Sequence, residues 1–458
     1  MRARQQLPAS DPRSWDYQPA IHRAYLTKRP SGAPWGTGQN ASWFFLPWHR
    51  MYLFAFENIV RSLLPEAERA DWALPFWDYS SGAPANALPP AFRVPTLPDA
   101  MRNPLFVPAR RASVNSGAAL PSTVTDVATA LAETHFTTTD LGASVGFGGP
   151  RTGFARHPPA FGGIQARPDG PVHVQVGGAA GLMSDPNSAA QDPICWLHRA
   201  NIDRLWEVWN IGGGANPTER AWLDRPFRVR IADGSSTRMT ARGVLDTVTQ
   251  LDYTYESLPV NTGVRKRPPR APKLGRPLLI GINHGPVQIG RRGATAHLAV
   301  TPVPEQTTGA GPGRLHLHLT DIDGSTNPGV VFGVYLDLPD DLLVTGLSDN
   351  HSGCLSDSSF DPARVDRRAD HLAGVTAFFG IQDTDPAIAA ASRREPEGMR
   401  YSFDITDLAD RLRARDEWRT DALTVTLLPV APDDEPESLA TDGTAPIRVV
   451  GAFSLYQG

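Results

Sequence analysis

Apolar positions recur at helical spacing in two long stretches of the first half of the chain and alternate in short runs through the second. In PWHRMYLFAFENIVRSLL, Leu53, Phe56, Val60 and Leu63 fall on one face of an amphipathic helix, and Pro65 supplies the stop. In DPICWLHRANIDRLWEVW, Asp192 reads as the N-cap, Pro193 as the first-turn proline, and Gly212 to Gly214 as the end signal. Between them, roughly Ser80 to Gly170 is dense in Gly, Pro, Ser and Thr, which predicts loops broken by a short helix near Val124 to Glu133. Loops of that length build sites more often than cores.

From about Arg225 the pattern changes to alternating runs such as Arg314 to Leu319, Val330 to Leu336 and Leu423 to Leu428, separated by Gly, Pro and Asp. Leu258 to Gly275, containing VRKRPPRAPKLG, has linker composition. The chain therefore predicts a mainly α domain over 1–224, a connecting segment over 225–275 and a β-rich domain over 276–458. No internal repeat is present, and the Gly clusters at Gly177 and Gly309 lack the strand and helix context of a phosphate loop.

Composition narrows the function classes. With 458 residues, 41% of them hydrophobic and 20% charged, the chain reads as a globular protein of two or three domains. A formal net charge of -4 from intermixed charges gives no field for nucleic acid or anionic lipid, leaving small molecules or proteins as partners. Cys195 and Cys354 are too few for a disulfide framework. The N-terminus lacks an apolar run and no segment approaches the ~20 apolar residues of a membrane span, so the default location is cytoplasmic.

Four ordered blocks carry a resemblance: WFFLPWHRMYLFAFE from Trp43, LPFWDY from Leu74, VHVQVGG from Val172 and DPICWLHRANIDRLWEVW from Asp192. Together they resemble the bacterial tyrosinase and polyphenol oxidase family over most of residues 15 to 210, and DYTYESLP and VVGAFSLYQ resemble the β-rich tail found in many members. The resemblance implies a four-helix bundle wrapped in long loops, followed by an antiparallel β-sandwich-like domain. It also implies two copper ions, each held by three histidines. Imidazole suits copper in both oxidation states, and three neutral ligands leave each ion open to dioxygen.

Aligned on those blocks, His22, His49 and His173 match ligand positions, whereas Asn40, Asp169 and Arg199 stand where the family places histidines. Gln165 stands where relatives often carry a water-orienting glutamate. His198 neighbours Arg199, but one residue is a rotation of ~100° around a helix, which predicts that it points away, on a stripe with Ile202, Leu205 and Trp209. Exchanging two histidines for an acid and a base predicts an Asp169–Arg199 ion pair in place of the second copper. A full dicopper centre is then not expected; the cofactor is none, or a single metal ion such as copper.

Alternative readings accompany each residue. His22 and His49 are ligands or packed helix residues, and His173, Asp169, His22 and His49 form a two-histidine, one-carboxylate set for iron or zinc only if the two halves approach closely. His316 and His318 read as a packed strand face, His157 as a loop histidine or an acid-base group, and Cys195 as an inert buried thiol. Three functions follow. The first is a repurposed enzyme using His22, His49, His173, Asp169 and Arg199 on a phenolic or related aromatic metabolite. The second is a non-catalytic relative that binds such a ligand, or pairs with and stabilises an active oxidase; a homo-oligomer is open under any of the three. The third is a copper-dependent phenol oxidase that tolerates the changes.

Overall fold

A computed structural model describes residues 1–23, 37–138, 145–153, 160–259, 278–290, 293–301, 314–343, 367–381, 398–419, 422–430 and 447–457. His157, Cys354, the cluster at Gly309 and most of the Leu258 to Gly275 linker lie outside them.

The helical domain is organised by α1 (Tyr17–Arg23), α2 (Phe45–Ser62), α3 (Gly170–Gly177) and α4 (Pro193–Ile211). Helix α4 starts as its sequence predicts: the Asp192 carboxylate accepts from the Ile194 N–H at 3.1 Å, and Pro193 occupies the first turn. The same carboxylate, fully buried, receives both arms of the Arg110 guanidinium at 2.7 and 2.9 Å. That clamp fixes the axial position of α4 and therefore of His198 and Arg199.

One turn beyond Arg199, Asp203 accepts from Arg50 Nε of α2 and from the Tyr253 and Tyr255 hydroxyls, each at 2.6 Å. Arg50 also lies over the Trp206 ring at 3.9 Å, so the two long helices are tied by charge and by stacking. Around these contacts, Trp43, Phe44, Trp48, Trp196, Trp206 and Trp222 are buried in one core. Helix α3 is only 8 residues long and joins its neighbours through π and 3₁₀ turns, so among the described residues the domain is less regular than a four-helix bundle.

The strands β1 (Phe227–Arg230) and β2 (Ser236–Met239) form an antiparallel hairpin. Phe227 and Val229 pack into the helical core, so the first half of the segment after Arg225 belongs with the helices.

The β-domain contains β3 (Leu278–Asn283), β4 (Val287–Ile289), β5 (Ala294–Val300), β6 (Leu315–Asp323), β7 (Phe332–Leu336), β8 (Leu372–Thr376), β9 (Met399–Asp404), β10 (Ala422–Pro429) and β11 (Ile447–Gln457). All pairings are antiparallel, as expected. The expected two-layer sandwich is not what forms. The described strands make one sheet in the order β8-β7-β10-β5-β3-β11-β6-β9, with β4 on β11, and its end strands β8 and β9 come within 8 Å. Strand twist curls one long sheet toward closure, and a near-barrel buries its concave face without a second sheet. Among the described residues, no helix is long and apolar enough to cross a membrane.

Candidate functional site

Three imidazoles on α1, α2 and α3 are aimed by the same device. His22 Nδ1 lies 3.2 Å from the Pro186 carbonyl, His49 Nδ1 2.9 Å from the Phe45 carbonyl, and His173 Nδ1 2.9 Å from the Met183 carbonyl. A carbonyl only accepts, so each Nδ1 carries the proton and each Nε2 presents a lone pair. His22 Nε2 and His49 Nε2 face each other at 3.2 Å. Two acceptors at that separation need a proton or a cation between them. Two imidazoles bound tetrahedrally to one ion at ~2.0–2.1 Å would stand roughly 3.3–3.4 Å apart, so the pair suits one metal ion.

Asn40 is buried, and neither atom of its carboxamide has a hydrogen-bond partner. Gln165 is committed to structure: its Oε1 accepts the Ala41 N–H at 2.8 Å.

The other half is built around Asp169, which ends a π turn whose Arg167 backbone is extended rather than helical. Arg199 Nη1 lies 2.5 Å and His198 Nε2 2.9 Å from the same oxygen, Asp169 Oδ1. All three side chains are buried. The Asp169–Arg199 ion pair thus forms. The expectation that His198 points away is corrected. Asp169 enters on the kinked approach to α3, between the directions of two adjacent α4 side chains, and both are long enough to converge on one carboxylate despite their rotation. His173 stands perpendicular to His198 at 4.7 Å, with its Nε2 3.8 Å from Asp169 Oδ1. Tyr79 stacks on His198 at 5.6 Å.

Burial alone would raise the Asp169 carboxyl, but the Arg199 guanidinium and the His198 hydrogen bond overcome it and hold the group well below the usual carboxylate range. Burial, reinforced by Arg199, lowers His49 and His173 far below the ordinary imidazole value, and burial lowers His198. Burial pushes the Cys195 thiol up to about 12, matching an inert cysteine. The halves adjoin through Phe45, whose ring lies 5.1 Å from the Arg199 guanidinium and 4.5 Å from the His49 ring.

Asp169, His173 and His198 place one ligand atom each within 4.8 Å of one another. This is a different trio from the sequence-predicted set, which joined His173 and Asp169 to His22 and His49. Its Asp169 Oδ2, His173 Nε2 and His198 Nδ1 are buried without hydrogen-bond partners. The donor types suit a divalent ion, but the guanidinium already lies on the carboxylate that would bind it.

One contributor left no mark in the sequence reading. Phe379, just after β8, stacks on His173 at 4.3 Å and 20°, so the β-domain covers the site. Phe379→Ala is expected to cost ~3–5 kcal/mol through the cavity it leaves and to speed diethyl pyrocarbonate modification of His173, read by peptide mass mapping. An unchanged rate would mean that the ring is not the cover. His316 and His318 are buried and stacked on β6, away from this centre, as packed strand residues.

The centre is thus lined by histidines, held by helices and covered by a residue of the β-domain. The common central domain of tyrosinase matches residues 12–211, and a domain of unknown function (DUF7868) matches residues 360–442. The chain is 30% identical to "Tyrosinase HcTyr1" of Hahella sp. (strain CCB-MM4), over 93% of this chain and 90% of that protein. It is 29% identical to "Polyphenol oxidase A1, chloroplastic" of Vicia faba, over 61% of this chain and 48% of that protein. The structure of latent apple tyrosinase shares the fold, with a TM-score of 0.61 at 20% identity over 100% of this chain and 93% of that one. The chain belongs to the tyrosinase family. Copper is the metal this family suggests.

Proposed function

We propose that this tyrosinase-family protein is an enzyme acting on a phenolic or related aromatic small molecule from a centre that holds at most one metal ion. His22 and His49 would hold that ion, and the Asp169–Arg199 pair stands where a second would bind. The observation that carries this reading is the 2.5 Å contact between Arg199 and Asp169, both buried. Relatives named tyrosinase, polyphenol oxidase and, in Antirrhinum majus, aureusidin synthase support the substrate class.

A copper ion on His22 and His49 would supply Lewis acidity and one-electron chemistry. The chain's own groups do the rest. The His173 Nε2 lone pair, buried and neutral, accepts a hydrogen bond from a phenolic hydroxyl brought into the cluster, which stays protonated because His173 is so weakly basic. The Arg199 guanidinium donates to the same phenolic oxygen, and Asp169 keeps Arg199 and His198 in place. Phe45 and Phe379 supply flat apolar walls for a ring, Phe379 moving aside to admit it.

Elemental analysis of protein produced with copper tests the proposal. At most one ion per chain and no oxidation of a simple catechol are expected. About two ions per chain, or catechol turnover, would establish the second reading, a copper-dependent phenol oxidase, which the full-length likeness to a protein named tyrosinase favours.

A further inference from the structure

The β-domain meets the helical domain at a seam some way from the histidine centre, and a cavity of about 40 Å³ lies in it. Thr129, Glu133 and Arg167 line its helical side; Arg400, Tyr401 and Ser402 of β9 line the other. A parallel bridge between Ala160 and Arg400 fixes β9 against the helical domain, so the two walls keep a set spacing.

Two of the three charged groups on these walls, Arg167 and Arg400, are cationic. Arg400 Nη2 lies 3.1 Å from His318 Nδ1, which accepts from it and so orients the guanidinium. His318 itself is opposite Ser402 in the β6–β9 register. The Ser402 hydroxyl is buried without a hydrogen-bond partner. Arg167 spreads over the Phe403 ring at 5.1 Å, with its Nη1 3.4 Å from the Thr129 hydroxyl. Its other arm lies so close to Gly374 of β8 that a Cβ there would meet Nη2 at 2.3 Å. Glu133 is the single carboxylate on the walls, with Asp126 acting on Arg167 from further out.

We propose that this seam cavity binds a small oxyanion, held between the Arg167 and Arg400 guanidinia with the Ser402 hydroxyl as a third donor. Guanidinium forks match oxyanions in geometry as well as charge. The volume holds roughly three waters, the scale of a tetrahedral oxyanion and too small for an aromatic acid. The consequence is mechanical. Arg167 is two residues from Asp169 and touches β8, which leads into Phe379, so an anion tying Arg167 to β9 holds the cover on His173. The binding claim does not depend on the chemistry proposed for the centre.

Thermal unfolding of the full chain with inorganic phosphate, against chloride at matched ionic strength, tests it. The midpoint should rise saturably, by about 3 °C at a hundredfold excess over Kd for a chain of this size. Sulfate should act like phosphate and acetate more weakly. Arg400→Gln should abolish the shift and Ser402→Ala should weaken it. An equal rise in chloride, or an unchanged shift in Arg400→Gln, overturns the proposal. If Arg400→Gln does not fold, equilibrium dialysis of labelled phosphate decides: one site per chain weakened in Ser402→Ala supports it, and no saturable site in the unmodified protein refutes it.

Discussion

Replacing Arg199 with methionine is expected to destabilise the protein by ~3–5 kcal/mol, the usual cost of leaving one member of a buried ion pair unpaired. The pair is 5% and 1% exposed, so solvent screening offers little relief. Asp169 would keep only the His198 hydrogen bond, with its second oxygen already without a partner. Asp169→Asn combined with Arg199→Met removes both charges and should recover more than half of the loss. Urea denaturation at pH 7 measures both. A single variant as stable as the parent would mean that the two charges are solvated in solution and that the buried pair contributes nothing.

The same groups set the acid side of the stability curve in the metal-free protein. The folded Asp169 carboxyl is held below its unfolded value of ~3.9, so its contribution is complete above that pH and lost as pH falls through the folded value. His49, His173 and His198 are likewise held below their unfolded value of ~6.5, because burial disfavours the imidazolium. Below pH ~6.5 the unfolded chain takes up protons that the folded chain refuses, so stability begins to fall there, above the range in which Asp169 titrates.

Some of this was legible in the residues themselves. Helix α4 announces its start through Asp192 and Pro193 because capping is local chemistry. The Asp169–Arg199 pair was legible because a buried acid and base at positions expected to face each other have one inexpensive arrangement. His198 was misread because helical rotation places a Cβ, whereas an imidazole and a guanidinium reach several ångströms beyond theirs. The single curled sheet could not be read from alternation, which reports that a strand has an inner face but not which strand lies beside it. Phe379 carries no local signal at all: an apolar residue after a strand becomes a cover only through the docking of the β-domain.

Reverting Asn40, Asp169 and Arg199 to histidine together should raise copper uptake from at most one ion per chain to about two. The expectation follows from geometry already present. His22, His49 and His173 direct their Nε2 lone pairs inward, each held by a carbonyl on Nδ1, and such outer contacts typically carry 10–100-fold in metal affinity. The Arg110–Asp192 clamp and the Asp203 hub fix α2 and α4 by residues other than the three being changed. Removing Arg199 also removes the fixed positive charge that opposes a cation beside His173 and His49. Arg199→His alone should gain little, because Asp169 would remain engaged by His198. Inductively coupled plasma analysis with copper K-edge spectroscopy reads the result. Uptake that stays at one ion would mean that α3 and α4 have drifted out of ligating distance, and that the ion pair reflects a remodelled pocket and not a substitution within an intact one.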